Sequence, residues 1–191
     1  MITLLKKTSY NESRWKNGNG ITRQIAIYPE HATVAANDFL WRISSAIVTQ
    51  ANSFSHFSNC ERQLVVWRGT GLLLNGTPML PNSPITFSGE DNINCELLGD
   101  KPVEDLGIIY LKNEVQTTLK VLVLTAPTTI DLNQGIHFLF FAEGIDCIVN
   151  GIELEVSDSL KVENEDKLLI SSSSHSTLTI YHLNIFKISL K

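Results

Sequence analysis

The chain has 191 residues, 43% of them hydrophobic, and a formal charge of −5 from 15 basic and 20 acidic residues. That is enough apolar material for one large domain or two intimately packed small ones. Net acidity with scattered basic residues, the densest cluster being Lys6-Lys7, argues against broad electrostatic binding of nucleic acid. No apolar run approaches the ~18 residues of a membrane helix, and the N-terminal segment lacks the apolar stretch of a signal peptide. A soluble cytoplasmic protein is therefore expected, with no membrane partner. Cys60, Cys95 and Cys147 are odd in number, far apart and without CxxC spacing, which reads as three buried free thiols. Cys60, beside Glu61-Arg62, is the one that invites a test for reactivity.

In chain order, residues 2–6 read as a short edge strand. Trp15-Lys16-Asn17-Gly18-Asn19-Gly20 carries Asn-Gly twice, which suits a tight turn. A loop so rich in glycine also presents backbone N–H groups and admits close approach by a ligand. Trp15 then either packs beneath a hairpin turn or forms a pocket wall. In the strand that follows, Ile21, Arg23, Ile25 and Ile27 share one face and Thr22, Gln24 and Ala26 the other, and Pro29 ends it. Residues 30–38 read as a polar connection or one short helical turn. The strand 39–48 places Leu40, Arg42, Ser44 and Ala46 on one face, either a solvated surface or a pocket floor where Arg42 holds an anion.

The stretch from Asn52 to Gly76 organises the rest. A polar and aromatic turn, SFSHF, leads to Glu61-Arg62, an apolar strand through Trp67, a Gly69-Thr70-Gly71 break, three leucines and Asn75-Gly76. Short strands broken by glycine describe a small antiparallel barrel or sandwich. Further strands are expected at 85–87 and 93–98. Residues 99–106 read as a linker, and one short helix is allowed around 110–116. Strands resume at 119–125, 137–142, 145–149, 152–156, 167–170, 178–183 and 185–190. The run Phe138-Leu139-Phe140-Phe141 is either a fully buried strand or a homodimer surface. WRGTGLLLNG (67–76) is echoed by AEGIDCIVNG (142–151), which suggests a duplicated β-sandwich.

Four pieces together resemble the HutD/Ves family of small bicupin proteins: WKNGNGIT (15–22), FLWRISSA (39–46), FSHF (54–57) with Glu61-Arg62, and the Gly69-Thr70-Gly71 turn. Asp105-Leu106 resembles the start of that family's D-[LF]-N-x-M segment, but Gly107 replaces the Asn and Ile109 the Met. Ser58-Asn59 stands where the family has Pro-Gly. The resemblance implies an all-β, duplicated cupin-like fold of the RmlC-like jelly-roll type. Residues 1–110 would form an N-terminal half holding the pocket, and residues 111–191 a C-terminal half packed with it as one unit. It further implies a regulatory or small-molecule-binding role in histidine utilisation.

Cupin enzymes commonly hold a metal between paired histidines, a glutamate and a later histidine, since three or four N/O ligands must converge. Here only His56 and Glu61 match. Phe54 stands in place of the first histidine, so no metal or other cofactor is expected. A binding site asks for less. Arg42 and Arg62 suit bidentate pairing with a carboxylate, Trp15 or Trp41 offers a wall, and Asn17-Gly18 offer donors. Thr22, His56, Glu61 and Asp105 complete the candidate set. The expected partner is a small anionic metabolite, a carboxylate or amino-acid derivative, bound without turnover. A metal-independent isomerase or lyase using Glu61 and Asp105, or a protein-interaction module, are the alternatives.

Overall fold

The computed structural model describes residues 1–188 and contains no α-helix among them. The first half forms β1 (Ile2–Leu5), β2 (Asn11–Arg14), β3 (Gly20–Tyr28), β4 (Trp41–Val48), β5 (Asn52–Ser53), β6 (Cys60–Arg68), β7 (Leu72–Leu74), β8 (Thr77–Met79), β9 (Ile85–Ser88), β10 (Asn94–Leu97) and β11 (Val103–Leu111). The second half forms β12 (Val115–Leu124), β13 (Thr128–Asp131), β14 (Ile136–Glu143), β15 (Cys147–Val149), β16 (Ile152–Leu154), β17 (Ser159–Glu163), β18 (Lys167–Ser172) and β19 (Leu178–Lys187).

These strands make two compact units, residues 11–115 and residues 1–10 with 116–191. In the first unit a six-stranded sheet, β2-β3-β4-β11-β6-β9, accompanies a four-stranded sheet, β5-β10-β7-β8. In the second, a five-stranded sheet, β1-β17-β14-β19-β12, accompanies β13-β18-β15-β16. The strand orders map onto each other, β4 to β11 against β12 to β19, so the echo in the sequence is a structural duplication. Its clearest mark is the paired Asn-Gly turn. Asn75-Gly76 and Asn150-Gly151 all have positive φ, the conformation of a tight hairpin turn. In both turns the asparagine also bonds a neighbouring strand in the same way. Asn75 Oδ1 accepts from the Asn94 N–H (2.8 Å) and Asn150 Oδ1 from the Leu169 N–H (2.7 Å).

Four expectations change. The first ten residues, assigned above to an N-terminal half of 1–110, belong to the second unit: β1 pairs antiparallel with β17, Ile2 opposite Val162. Ile2 and Leu4 find their apolar partners in that unit's core. Residues 99–106 are not a linker throughout, because Val103–Leu111 is a central strand of the six-stranded sheet. The helix allowed around 110–116 is instead the turn joining β11 to β12, closed by Glu114 N–H to the Leu111 carbonyl (3.1 Å). The closing strand is continuous from Leu178 to Lys187; the end of the 185–190 segment lies outside the described residues.

Phe138, Leu139, Phe140 and Phe141 are each at most 1% exposed. The run is a fully buried strand, worth about 1.5–3 kcal/mol per large side chain, and offers no apolar surface on which to rest a homodimer.

Candidate functional site

Cross-strand register determines what faces the interior of the first unit. Arg42 of β4 lies opposite Ile109 of β11, which lies opposite Arg62 of β6. The next inward row is Ser44, Gly107 and Leu64, and the third is Ala46, Asp105 and Val66. On β3, Gln24 and Thr22 extend the second and third rows. Gly107 therefore sits centrally on an inward face that elsewhere carries side chains, and it lines a cavity of about 600 Å³. Trp15, Asn17, Thr22, Arg42, Arg62 and Asp105 all line it, with Phe54, Phe57 and Ile109 as apolar wall.

The structure thus brings together six of the nine residues singled out in the sequence and separates three. His56 is exposed on the turn and does not line the cavity. Its neighbours Phe54 and Phe57 turn inward instead, because burying two aromatic rings is worth more than burying an imidazole that would need a partner. Glu61 belongs to the opposite face of β6 from Arg62, where its carboxylate accepts the Tyr110 hydroxyl hydrogen bond at 2.7 Å. Gly18 is exposed at the turn, at φ +76° with nothing within 4 Å of a built Cβ. Gly20 is the constrained glycine of that loop: a Cβ there would lie 2.8 Å from the Trp15 ring and 2.6 Å from the Ile47 carbonyl. Trp15 is thereby laid across the sheet, and its indole N–H donates to Thr22 Oγ1 at 2.7 Å. Thr22 accepts there, which leaves its own hydroxyl proton for a ligand.

The two guanidinium groups are held differently. Arg42 is 9% exposed, and its Nε donates to Gln24 Oε1 at 2.9 Å; burial lowers its pKa. Arg62 lies over three phenylalanines, 4.6 Å from the Phe54 ring centre, 5.9 Å from Phe57 and 5.2 Å from Phe87. That is an aromatic bed on which cation–π attraction fixes the cation. Burial pulls Arg62 down to about 10, against the attraction of Asp105 and with the repulsion of Arg42. Among the described residues neither guanidinium has a carboxylate oxygen within 4.0 Å. Asp105, 5% exposed, is raised to about 7 by burial, against the opposing effects of Arg62 and of hydrogen bonding from the Ala46 backbone.

Gln24 and the phenylalanines were not singled out above. The SFSHF aromatics carried a usable signal, two rings three residues apart before an arginine. Gln24 carried none, since a glutamine facing an arginine across a strand pair is visible only once register is known. Trp41 lies on the other face of β4, stacked on Tyr28 at 5.8 Å.

Metal chemistry finds no fit: His56 and Glu61 do not converge, and no group of three His, Cys, Asp or Glu side chains among the described residues could hold an ion. Nor is Cys60 activated, because burial and Glu90 push its thiol pKa up, away from the thiolate a nucleophile requires.

Gly107 offers a direct test of the cavity. A built Cβ meets Leu64 Cδ1 at 3.0 Å and the Gln63 carbonyl at 3.3 Å, so Gly107→Val must displace the Leu64 side chain and narrows the cavity that both residues line. We expect that variant to remain folded at a cost of about 1–3 kcal/mol and to lose ligand-induced stabilisation. A full ligand-induced rise in its melting midpoint would remove the cavity from consideration.

The chain is similar to several known proteins. A protein from Pseudomonas putida described as an uncharacterized 21.2 kDa protein in the hutC 3' region is 29% identical over 177 residues, covering 88% of this chain and 90% of the relative. Protein Ves from Citrobacter koseri is 28% identical over 130 residues, 65% of each chain. The structure of HutD from Pseudomonas fluorescens SBW25, determined in a formate condition, superimposes with a TM-score of 0.80 at 25% identity and covers 99% of this chain and 100% of its own. The fold is cupin-like, and the HutD family model matches residues 7–180: the chain belongs to the HutD family.

Proposed function

We propose that this protein binds a small anionic metabolite, a carboxylate or amino-acid derivative, in the cavity of residues 11–115 without turning it over, and that it acts in the cytoplasm as a regulatory component of histidine utilisation. One observation carries the reading. Arg42 and Arg62 flank Ile109 in one row of the sheet and line one cavity, with no carboxylate oxygen among the described residues within 4.0 Å of either guanidinium. Two partly desolvated cations without a close counter-ion are costly to the fold, and a ligand carboxylate would relieve that cost with charge-assisted hydrogen bonds. The formate condition used for the Pseudomonas fluorescens relative makes formate a natural first probe.

The test is thermal stability against formate, urocanate, histidine and the formyl- and formimino-glutamates, with and without divalent metal. A ligand at ~100 Kd adds about 2.7 kcal/mol. Arg62→Ala and Arg42→Ala are each expected to weaken binding by about 2 kcal/mol or more, roughly 30-fold. His56→Ala and Glu61→Gln, which lie outside the cavity, should bind as the wild type does. An undiminished response in both arginine variants would refute the reading.

A metal-independent isomerase or lyase has one feature in its favour, the buried carboxyl of Asp105 in the cavity, which burial raises toward the range of a general base. Glu61, its supposed partner, faces away, so proton transfer would rest on Asp105 alone. Loss of substrate signal in a prolonged incubation with any ligand that binds would bring this reading forward.

A further inference from the structure

We propose that Asp105 is the internal counter-charge that the ligand replaces, so that binding of a small monoanionic carboxylate is coupled to uptake of one proton from solvent at the Asp105 carboxyl. The inference rests on the anion-binding reading above and adds to it the regulation of that site by pH.

The geometry is specific. Asp105 occupies the third inward row, two residues along β11 from the gap at Gly107, and lines the same cavity as both arginines. Its carboxylate is out of solvent, and among the described residues it has no ion pair within 4.0 Å. What keeps it partly ionised is the field of Arg62, the largest opposing influence on its titration, with hydrogen bonding from Ala46 second. An anion seated between Arg42 and Arg62 neutralises that field. Asp105 is then a buried carboxylate beside a second negative charge, and the like-charge rule makes it protonate. As a neutral acid it can donate a hydrogen bond to the bound ligand.

The charged and titratable groups that surround it come from several strands. From β6, Arg62 faces it, lowered only to about 10. From β4 the charged group is Arg42. From β10, Cys95 is pushed up to about 12 by burial and by Asp105 itself. Glu104, its chain neighbour on the opposite face, is paired with Arg68 at 2.9 Å. Arg14 and Lys16 stand at the loop that lines the cavity, and β3 contributes the uncharged Thr22.

The measurement is formate affinity by NMR titration at half-unit steps from pH 6 to pH 9, for the wild type and for Asp105→Asn. Uptake of one proton makes the wild-type Kd rise toward tenfold per pH unit above the Asp105 midpoint. Asp105→Asn should bind with a pH-independent Kd, and at pH 9 more tightly than the wild type. The ¹³C carboxyl resonance of Asp105 gives a second readout that needs no variant: its titration midpoint should move up when formate saturates the protein. Formate binding with a flat pH profile and an unmoved midpoint overturns the proton coupling and leaves the anion site standing. No formate binding by either protein at any pH overturns both.

Discussion

Asp105→Asn is expected to stabilise the protein, by an amount that depends on pH. A carboxyl whose pKa is raised on folding from 3.8 to about 7 contributes its full favourable share below pH 3.8, where folded and unfolded states are both protonated. That share is lost progressively as pH rises to 7, because the unfolded chain releases a proton that the folded one keeps. Above pH 7 the accumulated cost is on the order of 4 kcal/mol. Urea unfolding of the wild type and the variant should therefore coincide near pH 4, diverge through pH 5 and 6, and reach a constant gap above pH 7, at unchanged m-value. A gap of one size at every pH would mean that Asp105 is not a buried, near-neutral acid. A residue that weakens the fold and faces a cavity is the usual signature of a site maintained for binding rather than stability.

Acid should also destabilise the protein through His182. Its ring nitrogen Nε2 lies 3.0 Å from Nδ1 of His137, whose own Nε2 lies 2.9 Å from the Asn133 carbonyl oxygen. A carbonyl only accepts, so His137 carries its proton on Nε2, its Nδ1 accepts, and His182 donates from Nε2. An added proton must then go onto Nδ1 of His182. Burial above all, with the charge of Lys120, disfavours this, and the His182 pKa falls from 6.5 to about 4. A base depressed on folding contributes stability above pH 6.5 and loses it as pH falls through 4, here on the order of 3 kcal/mol.

In a single unfolding transition, between about pH 4 and 6.5 the His182 slope and the Asp105 slope have opposite signs and offset one another. The wild type should then look flat there, whereas Asp105→Asn should lose stability steadily toward acid. Adding His182→Gln to that variant should abolish the loss. A double variant that still falls with the same slope would assign the acid transition to other groups.

Much of this was legible in the residues. Alternation identified the strands around Arg42 and Arg62, and Asn-Gly pairs identified the turns at 75–76 and 150–151. The repeated glycine-hairpin pattern identified the duplication. These are local properties: period-two side-chain placement and positive φ are dictated by a few neighbouring residues. The same periodicity says that Glu61 and Arg62 must face opposite ways.

Which of the two faces the cavity is another matter, decided only when β6 pairs with β11 and the sheet acquires an inside. Strand β11 itself was hidden because Asp105 and Gly107 interrupt its apolar face at the site. The register shift between Gln24 and Ala26 likewise reverses the alternation of β3. Ile27, grouped above with Ile21 and Arg23, joins Arg42 on the inward face and packs with Phe39, Phe57 and Ile109. Local sequence determined that strands, turns and two guanidinium groups would exist. Tertiary pairing decided that Arg42, Arg62 and Asp105 share one cavity and that His56 does not, because inside and outside are properties of a closed sheet rather than of any single strand.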